Sequence, residues 1–214
     1  MAGLLIIGAG GHGKVVADTA LSMEKWDKIA FLDDRYPEIT SVLNFPILGK
    51  VDEYLPFHSS YQDVVVAVGD NKLRVELIRR FIDCRFRLPL IIHPQAFVSR
   101  FSDIGHGSVV FAQAAINAGT VVGIGSIINT GATVDHECLL GCGVHVSPGV
   151  HIAGQVKIGD YTWLGIGSTI IQQRSLGRNV IVGAGAVIIQ DVPNDVTTVG
   201  VPGRVLHKQY LNYV

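Results

Sequence analysis

The chain has 214 residues, a formal net charge of −1, and 48% hydrophobic against 16% charged residues. This balance excludes the basic surplus of a nucleic-acid or acidic-membrane binder, and no apolar run reaches the roughly 20 residues that a membrane span needs. So little charge predicts extensive buried surface and an oligomer.

Residues 1–85 alternate strand and helix signals. Leu4–Ile7 reads as a buried strand, and Gly13–Met23 as a helix opening on glycines. Lys28–Leu32 is a second strand, ending at Asp33 and Asp34. Asp63–Val68 is a third, ending at Gly69. Asn71–Ile82 reads as a helix with Leu73, Leu77, Ile78, Phe81 and Ile82 on one side. Together these predict a small Rossmann-like α/β domain. No basic region precedes the first apolar run, so the N-terminus does not read as a signal peptide. Cys84, Cys138 and Cys142 lack C-x-x-C spacing and read as reduced core thiols of a cytoplasmic protein.

The stretch "LLIIGAGGHGKVV" fits two glycine-rich templates. As a P-loop it fails at Val15, where Ser or Thr should ligand Mg²⁺. As a dinucleotide fingerprint it has Gly8, Gly10 and Gly13 after a strand, and Asp33 twenty residues beyond Gly13, where a ribose-binding acid belongs. Eighty-five residues are too few for the second half of a full NAD site. A single nucleotide, its phosphates met by helix-terminal amides, fits better.

From residue 86 to 214 the pattern changes. Every sixth residue from Val98 to Ile188 is Val, Ile or Leu, sixteen times without an insertion. Four residues after each comes Ser, Ala, Thr, Cys or Val, except at Arg174. A period of six is the hexapeptide signature of a parallel β-helix. Three hexads make a triangular coil of eighteen residues. The aliphatic position faces inward, the small residue turns in near a corner, and glycines permit the corner's positive φ. The series fails at Asn194.

The segments "GAGGHGK", "FLDD", "VAVGDNKLR", "IIHPQAFVS", "NTGATVDHECLLGCGVHVSPGVHIAGQVKIGD" and "VGVPGR" occur in that order. This arrangement resembles the bacterial nucleotide-sugar N-acetyltransferases and the related sialic acid O-acetyltransferases. Both belong to the left-handed β-helix hexapeptide acyltransferase superfamily. The resemblance covers nearly the whole chain. It implies a left-handed β-helix and homotrimers with active sites between neighbouring subunits. It also implies acetyl transfer from acetyl-CoA to the 4-amino group of a nucleotide-linked 4-amino-4,6-dideoxyhexose, for surface-glycan or glycoprotein assembly. The resemblance does not choose among UDP, dTDP and GDP as the nucleotide.

Attack of an amine on a thioester leaves an ammonium-like intermediate that must lose a proton, and an imidazole suits that task. His136 in "VDHECLLG" matches the family's general base, and Glu137 the carboxylate that supports it. His145 matches an acetyl-CoA contact. It lies nine residues from His136, half a coil away, so the two share a site only if a second subunit supplies one. Gly154 stacks one coil above His136, where a glycine lets backbone approach a ligand and its amide meet the thioester oxyanion. Ile166 and Ala184 match family positions along the pantetheine and adenine path. Lys157, Arg174, Arg178 and Arg204 are the cations available to CoA phosphates. Gly10, Gly11, His12, Asp33, Asp34 and Gly69 match contacts to the nucleotide sugar, with Asn71 and Arg74 on the same rim. His145 and His151 fall on different prism faces, so no zinc site is expected. Two competing readings remain. One is O-acetylation of a sialic acid; the other is a non-catalytic partner that stabilises another sugar enzyme.

Overall fold

A computed structural model describes residues 3–206, which divide into two compact units on either side of the Pro94–Gln95 bond. The change of sequence pattern was placed at 85/86. The intervening residues pack with the first unit: the Phe86 ring meets Phe81, Tyr54 and His58 edge-on, and Arg87 joins Asp63 at 2.6 Å.

In the first unit, β1 (Gly3–Ile7), β2 (Lys28–Leu32) and a third long strand (Asp63–Val66) form a parallel sheet with β1 in the centre. Helix α1 (Gly11–Ser22) buries Gly13, Val16, Ala17, Thr19 and Ala20. Helix α2 (Asn71–Asp83) is capped by Asp70, whose carboxylate accepts from the Leu73 amide at 2.8 Å. Its buried face differs from the expected one. Arg74, Val75, Leu77, Ile78 and Phe81 are buried, whereas Leu73 and Ile82 stand exposed. The face turns because the Arg74 guanidinium reaches back to the carbonyls of Val68 and Gly69, at 2.9 and 3.2 Å. Between β2 and Asp63 lie a hairpin of Ser41–Val42 with Phe45–Pro46 and two short 3-10 turns. Periodicity gives no signal for this segment.

The second unit is the triangular coil that the hexads predict. Among the described residues, sixteen two-residue strands from Phe97–Val98 to Val187–Ile188 fall on three parallel faces, the first containing Phe97–Val98, the second Asp103–Ile104 and the third Val109–Val110. Each of the first thirteen pairs with the strand eighteen residues on, as Thr133 does with His151. The aliphatic positions from Val110 to Ile188 are all buried. After Ile188 the coil tightens: Ile181 pairs with Thr197, sixteen residues on, and Arg204–Leu206 closes that edge antiparallel. The failure of the series at Asn194 marks this shortened turn.

Two kinds of glycine build the corners. The fourth place of fourteen successive hexads, from Gly107 to Gly185, has positive φ. Glycine is common there because a Cβ strains that conformation. Glycines of the second place answer a different need. A Cβ on Gly123 would lie 2.5–2.6 Å from the Gly141–Cys142 backbone one coil on.

The small inward residues also stitch coils together. The Thr162 hydroxyl donates to the Gly177 carbonyl at 2.8 Å and accepts from the Val180 amide at 3.1 Å. Thr120 does the same between Asp135 and Cys138. Thr162→Val keeps the volume and removes both bonds, leaving two buried backbone groups unmet. Chemical denaturation should show a loss of about 1–3 kcal/mol.

Candidate active site

The functional residues gather in two places, one in each unit. In the first unit, Gly8 closes β1 at φ +101, and Gly13 must lack a Cβ because one would strike the Gly8 carbonyl. This brings the start of α1 close against the sheet. Gly10, Gly11 and Gly69 differ: a Cβ on any of them would meet nothing within 4 Å. Backbone is therefore open to a ligand at the N-terminus of α1 and at the end of the third strand. Gly10 caps α1 without a side-chain hydrogen bond, so the first-turn amides suit an anionic group.

Asp33 is buried and already engaged. It accepts from the Ala9 amide at 2.7 Å, and Arg35 grips both its oxygens at 2.7 and 3.0 Å. Those Arg35 bonds, assisted by the amides of Ala9 and Arg35 and opposed by burial, lower its pKa to about 2. It clasps the glycine loop to the end of β2. Asp34 is exposed and accepts from the Val51 amide at 3.1 Å.

His12 is half-buried with its Nε2 sealed from solvent. Burial, and secondly the Arg74 cation, lower its pKa to about 4. It is therefore a neutral group at physiological pH. Burial also lowers the Arg74 pKa, to about 10, so Arg74 stays cationic. Because the folded His12 pKa lies below the ordinary 6.5, the folded state takes up fewer protons. Its contribution to stability is complete above pH 6.5 and is lost as pH falls towards 4. The loss is about 2 kcal/mol after discounting residual solvent exposure. Denaturation at pH 7 and pH 4.5 should show this decline in the wild type and a shallower one in His12→Asn.

In the second unit, His136 follows the strand Thr133–Val134 at the corner between the first and second faces. Its Nδ1 lies 3.1 Å from Glu137 Oε2, and its amide donates to Asp135 Oδ1 at 2.8 Å. Asp135 is held in turn by Asn117 at 2.9 Å. The Asn117 amide, then the His136 amide, keep the Asp135 carboxyl below its usual range. Gln155 and then His136 do the same for Glu137. An ionised Glu137 only accepts, so Nδ1 keeps its proton and donates it as a hydrogen bond, which leaves His136 Nε2 as the basic lone pair.

Gly154 stands one coil above, and its space is filled. A Cβ there would lie 2.5 Å from His136 Nε2, 2.6 Å from Cε1 and 3.0 Å from Cδ2. The expected reason for this glycine was approach of a ligand; the structure shows the imidazole itself against it.

The other predicted acetyl-CoA residues lie elsewhere on the prism. His145 is on the third face, stacked on Trp163 with ring centroids 5.9 Å apart and planes at 11°. Ile166 and Ala184 stand exposed, eighteen residues apart, at the corner between the third and first faces. One chain thus brings together His136, Glu137 and Gly154 and keeps His145, Ile166 and Ala184 apart from them. Arg174 breaks the small-residue rule by turning outward, half-exposed, 3.7 Å from Asp191. Arg178 lies 3.8 Å from Asp195, and Lys157 and Arg204 are exposed. No group of three metal-ligating side chains occurs among the described residues.

Sequence reasoning passed over Gln155, Gln173 and Trp163. The first two repeat the place of Glu137 at eighteen-residue intervals, a signal that was readable. Trp163 could have been found as the aromatic one coil beyond His145.

The family described as PglD N-terminal domain matches residues 3–81, and the bacterial transferase hexapeptide family matches residues 155–190. UDP-N-acetylbacillosamine N-acetyltransferase of Bacillus subtilis (strain 168) is 33% identical over 114 residues, 52% of this chain and only about half, 52%, of that protein. The acetyltransferase domain of PglB from Neisseria gonorrhoeae FA1090, solved with acetyl coenzyme A, is 44% identical. That match has a TM-score of 0.90 and covers 95% of this chain and 98% of that one. PerB from Caulobacter crescentus, solved with CoA and GDP-perosamine, is 39% identical. Its TM-score is 0.91, over 97% of this chain and 98% of that one. With a PglD-type α/β domain, an unbroken hexapeptide coil and this likeness over nearly its full length, the chain belongs to the hexapeptide family of nucleotide-sugar N-acetyltransferases.

Proposed function

We propose that this protein transfers an acetyl group from acetyl-CoA to the 4-amino group of a nucleotide-linked 4-amino-4,6-dideoxy sugar, with His136 as general base. The carrying observation is the His136–Glu137 pair, which leaves Nε2 as the basic lone pair of an exposed imidazole. The neutral amine attacks the thioester carbonyl, forming a C–N bond and a tetrahedral intermediate. His136 Nε2 removes the proton from nitrogen, the C–S bond breaks, and the CoA thiolate leaves and takes up a proton. Glu137 steadies the imidazolium formed in between.

The first unit holds the acceptor. Open backbone at Gly10, Gly11 and Gly69 admits the diphosphate, with His12 as a neutral polar group beside it, and Asp33 and Asp34 shape the rim. PerB is solved with GDP-perosamine and the Bacillus subtilis relative is named for a UDP-linked amino sugar, which supports a nucleotide amino sugar here.

The working form is a homotrimer with sites at subunit interfaces. His136 occupies one corner of the prism and Ile166 and Ala184 another, so His145, Gly154, Ile166 and Ala184 line one acetyl-CoA path only when a second copy contributes. Exposed apolar side chains on two faces, Val121 and Leu139 on one and Trp163 and Ile181 on the other, suit such an assembly. Acetyl-CoA and nucleotide sugars are cytoplasmic metabolites, and the enzyme belongs in that compartment.

Thiol release from acetyl-CoA, measured against a panel of UDP-, dTDP- and GDP-linked 4-amino sugars and free sialic acid, tests this. Turnover with an amino sugar supports it. Turnover with sialic acid alone would replace it by O-acetylation, and absence of acetyl-CoA binding in calorimetry would leave a non-catalytic partner.

A further inference from the structure

One corner of the coil carries an unusual column. Residues 119, 137, 155 and 173 stack at eighteen-residue intervals in the fourth, left-handed place of their hexads. Gly119 has φ +75, but Glu137, Gln155 and Gln173 hold φ of 55, 60 and 59. Glycine adopts this conformation without a Cβ penalty and fills eight of the fourteen such places, with Gln113, Tyr161 and Asn179 the exceptions outside this column. Three long polar side chains therefore stand where the backbone favours none, and such strain concentrates at working sites.

The three form a directional chain. Gln173 Nε2 donates to Gln155 Oε1 at 2.9 Å, and Gln155 Nε2 donates to Glu137 Oε2 at 2.9 Å. The direction follows from chemistry. A carboxylate only accepts, so Gln155 must turn its NH₂ towards Glu137, and its carbonyl is left to receive Gln173. The same Oε2 takes His136 Nδ1 at 3.1 Å. An exposed glutamate has several rotamers of similar energy. Two donors converging on one oxygen select one of them.

We infer that Gln155, backed by Gln173, is a positioning residue for the acetyl transfer: the amide ladder fixes the Glu137 carboxylate, and through it the tautomer and aim of His136. The side-chain hydrogen bonds of the two glutamines run to Glu137 and along the ladder, so both act through Glu137. The inference rests on the proposed activity for its kinetic arm and on side-chain geometry for the rest.

The test is a double-mutant cycle with acetyl-CoA and an accepted amino sugar. Gln155→Leu should lower kcat about tenfold, the loss expected of one hydrogen bond to a charged group. KM for both substrates should stay within about twofold, because the ladder orients the base and does not bind ligand. Gln173→Leu should lower kcat about threefold, since it removes only the backing bond. In a Glu137→Ala background the Gln155→Leu substitution should change kcat by less than about twofold. A purely structural ladder would give the same fall in both backgrounds, with a matching drop in melting temperature, and that result overturns the inference. Unchanged kcat in Gln155→Leu overturns it as well. Should Gln155→Leu fail to fold, Gln155→Asn, which keeps the amide but shortens its reach, and Gln173→Leu carry the same cycle.

A second readout is independent of turnover. Nitrogen NMR of histidine-labelled protein, with His136 assigned by its loss in His136→Asn, should show the Nδ1–H tautomer in the wild type. A mixture of tautomers is expected in Gln155→Leu. A pure Nδ1–H form in both proteins would contradict the ladder's role. A wild-type protein that acetylates no amino sugar would instead refute the proposed activity and leave the tautomer result standing.

Discussion

His136→Ala is expected to lower kcat about 10²–10⁴-fold, while acetyl-CoA binds in calorimetry as it does to the wild type. The amine can attack unaided, but the intermediate it forms carries an extra proton on nitrogen, and without a base it collapses back to substrates. The side chain is exposed and its imidazole supports no core packing, so the melting temperature should barely change. The acceptor sets the size of the loss. A hydroxyl must shed its proton as it attacks, so an O-acetyltransferase depends more heavily on the base. The same substitution assayed on an amine and on a hydroxyl acceptor therefore also reports which acceptor the site is built for.

Gly154→Ala is expected to lower kcat about 10²-fold without removing a single catalytic atom. The new methyl group would stand 2.5 Å from Nε2 and 2.6 Å from Cε1 of His136. The imidazole must move by an ångström or more, which breaks its bond to Glu137 or turns Nε2 away from the amine. The Gly154 backbone stays in the coil, where its carbonyl accepts from the Gln173 amide at 3.0 Å. Acetyl-CoA affinity should therefore change far less than turnover. A fall in affinity with unchanged kcat would mean that ligand approach, and not the imidazole, is what requires this glycine.

The coil was almost fully legible because its period is strict. One inward aliphatic residue in six cannot be confused with a helix or with simple strand alternation, and each of the sixteen positions from Val98 to Ile188 lies in a strand. The strand ends of the first unit were legible within two residues for a similar reason: buried runs such as Leu4–Ile7 stop at glycine. The buried face of α2 was not. Periodicity counts apolar residues, and it could not foresee that Arg74 would sink into the unit to satisfy two loop carbonyls while Leu73 faced outward. The hairpin around Leu43 and Asn44 was missed because its strands are two residues each, too short for any alternation to register.

Within the candidate site, the motif named His136 and Glu137 together, and their side chains do meet at 3.1 Å, but the neighbour that fills the space at Gly154 was not readable. A glycine in sequence says only that a side chain is missing; the structure says which neighbour occupies the space. Asp33 is a comparable case. Its spacing from the glycines suggests a ribose ligand, whereas its two oxygens are already taken by the Ala9 amide and Arg35. The partner that makes this difference, Arg35, is only two residues away and carries no motif.

The central claim is that the His136 corner drives acetyl transfer to a sugar amine. Mass spectrometry of the sugar product, after incubation with acetyl-CoA and the panel of nucleotide-linked 4-amino sugars, tests it most directly. The account predicts one acetyl group on the sugar nitrogen with the wild type and, over the same time, almost none with His136→Ala. Equal product from both proteins, or an acetyl group found only on oxygen, would contradict it.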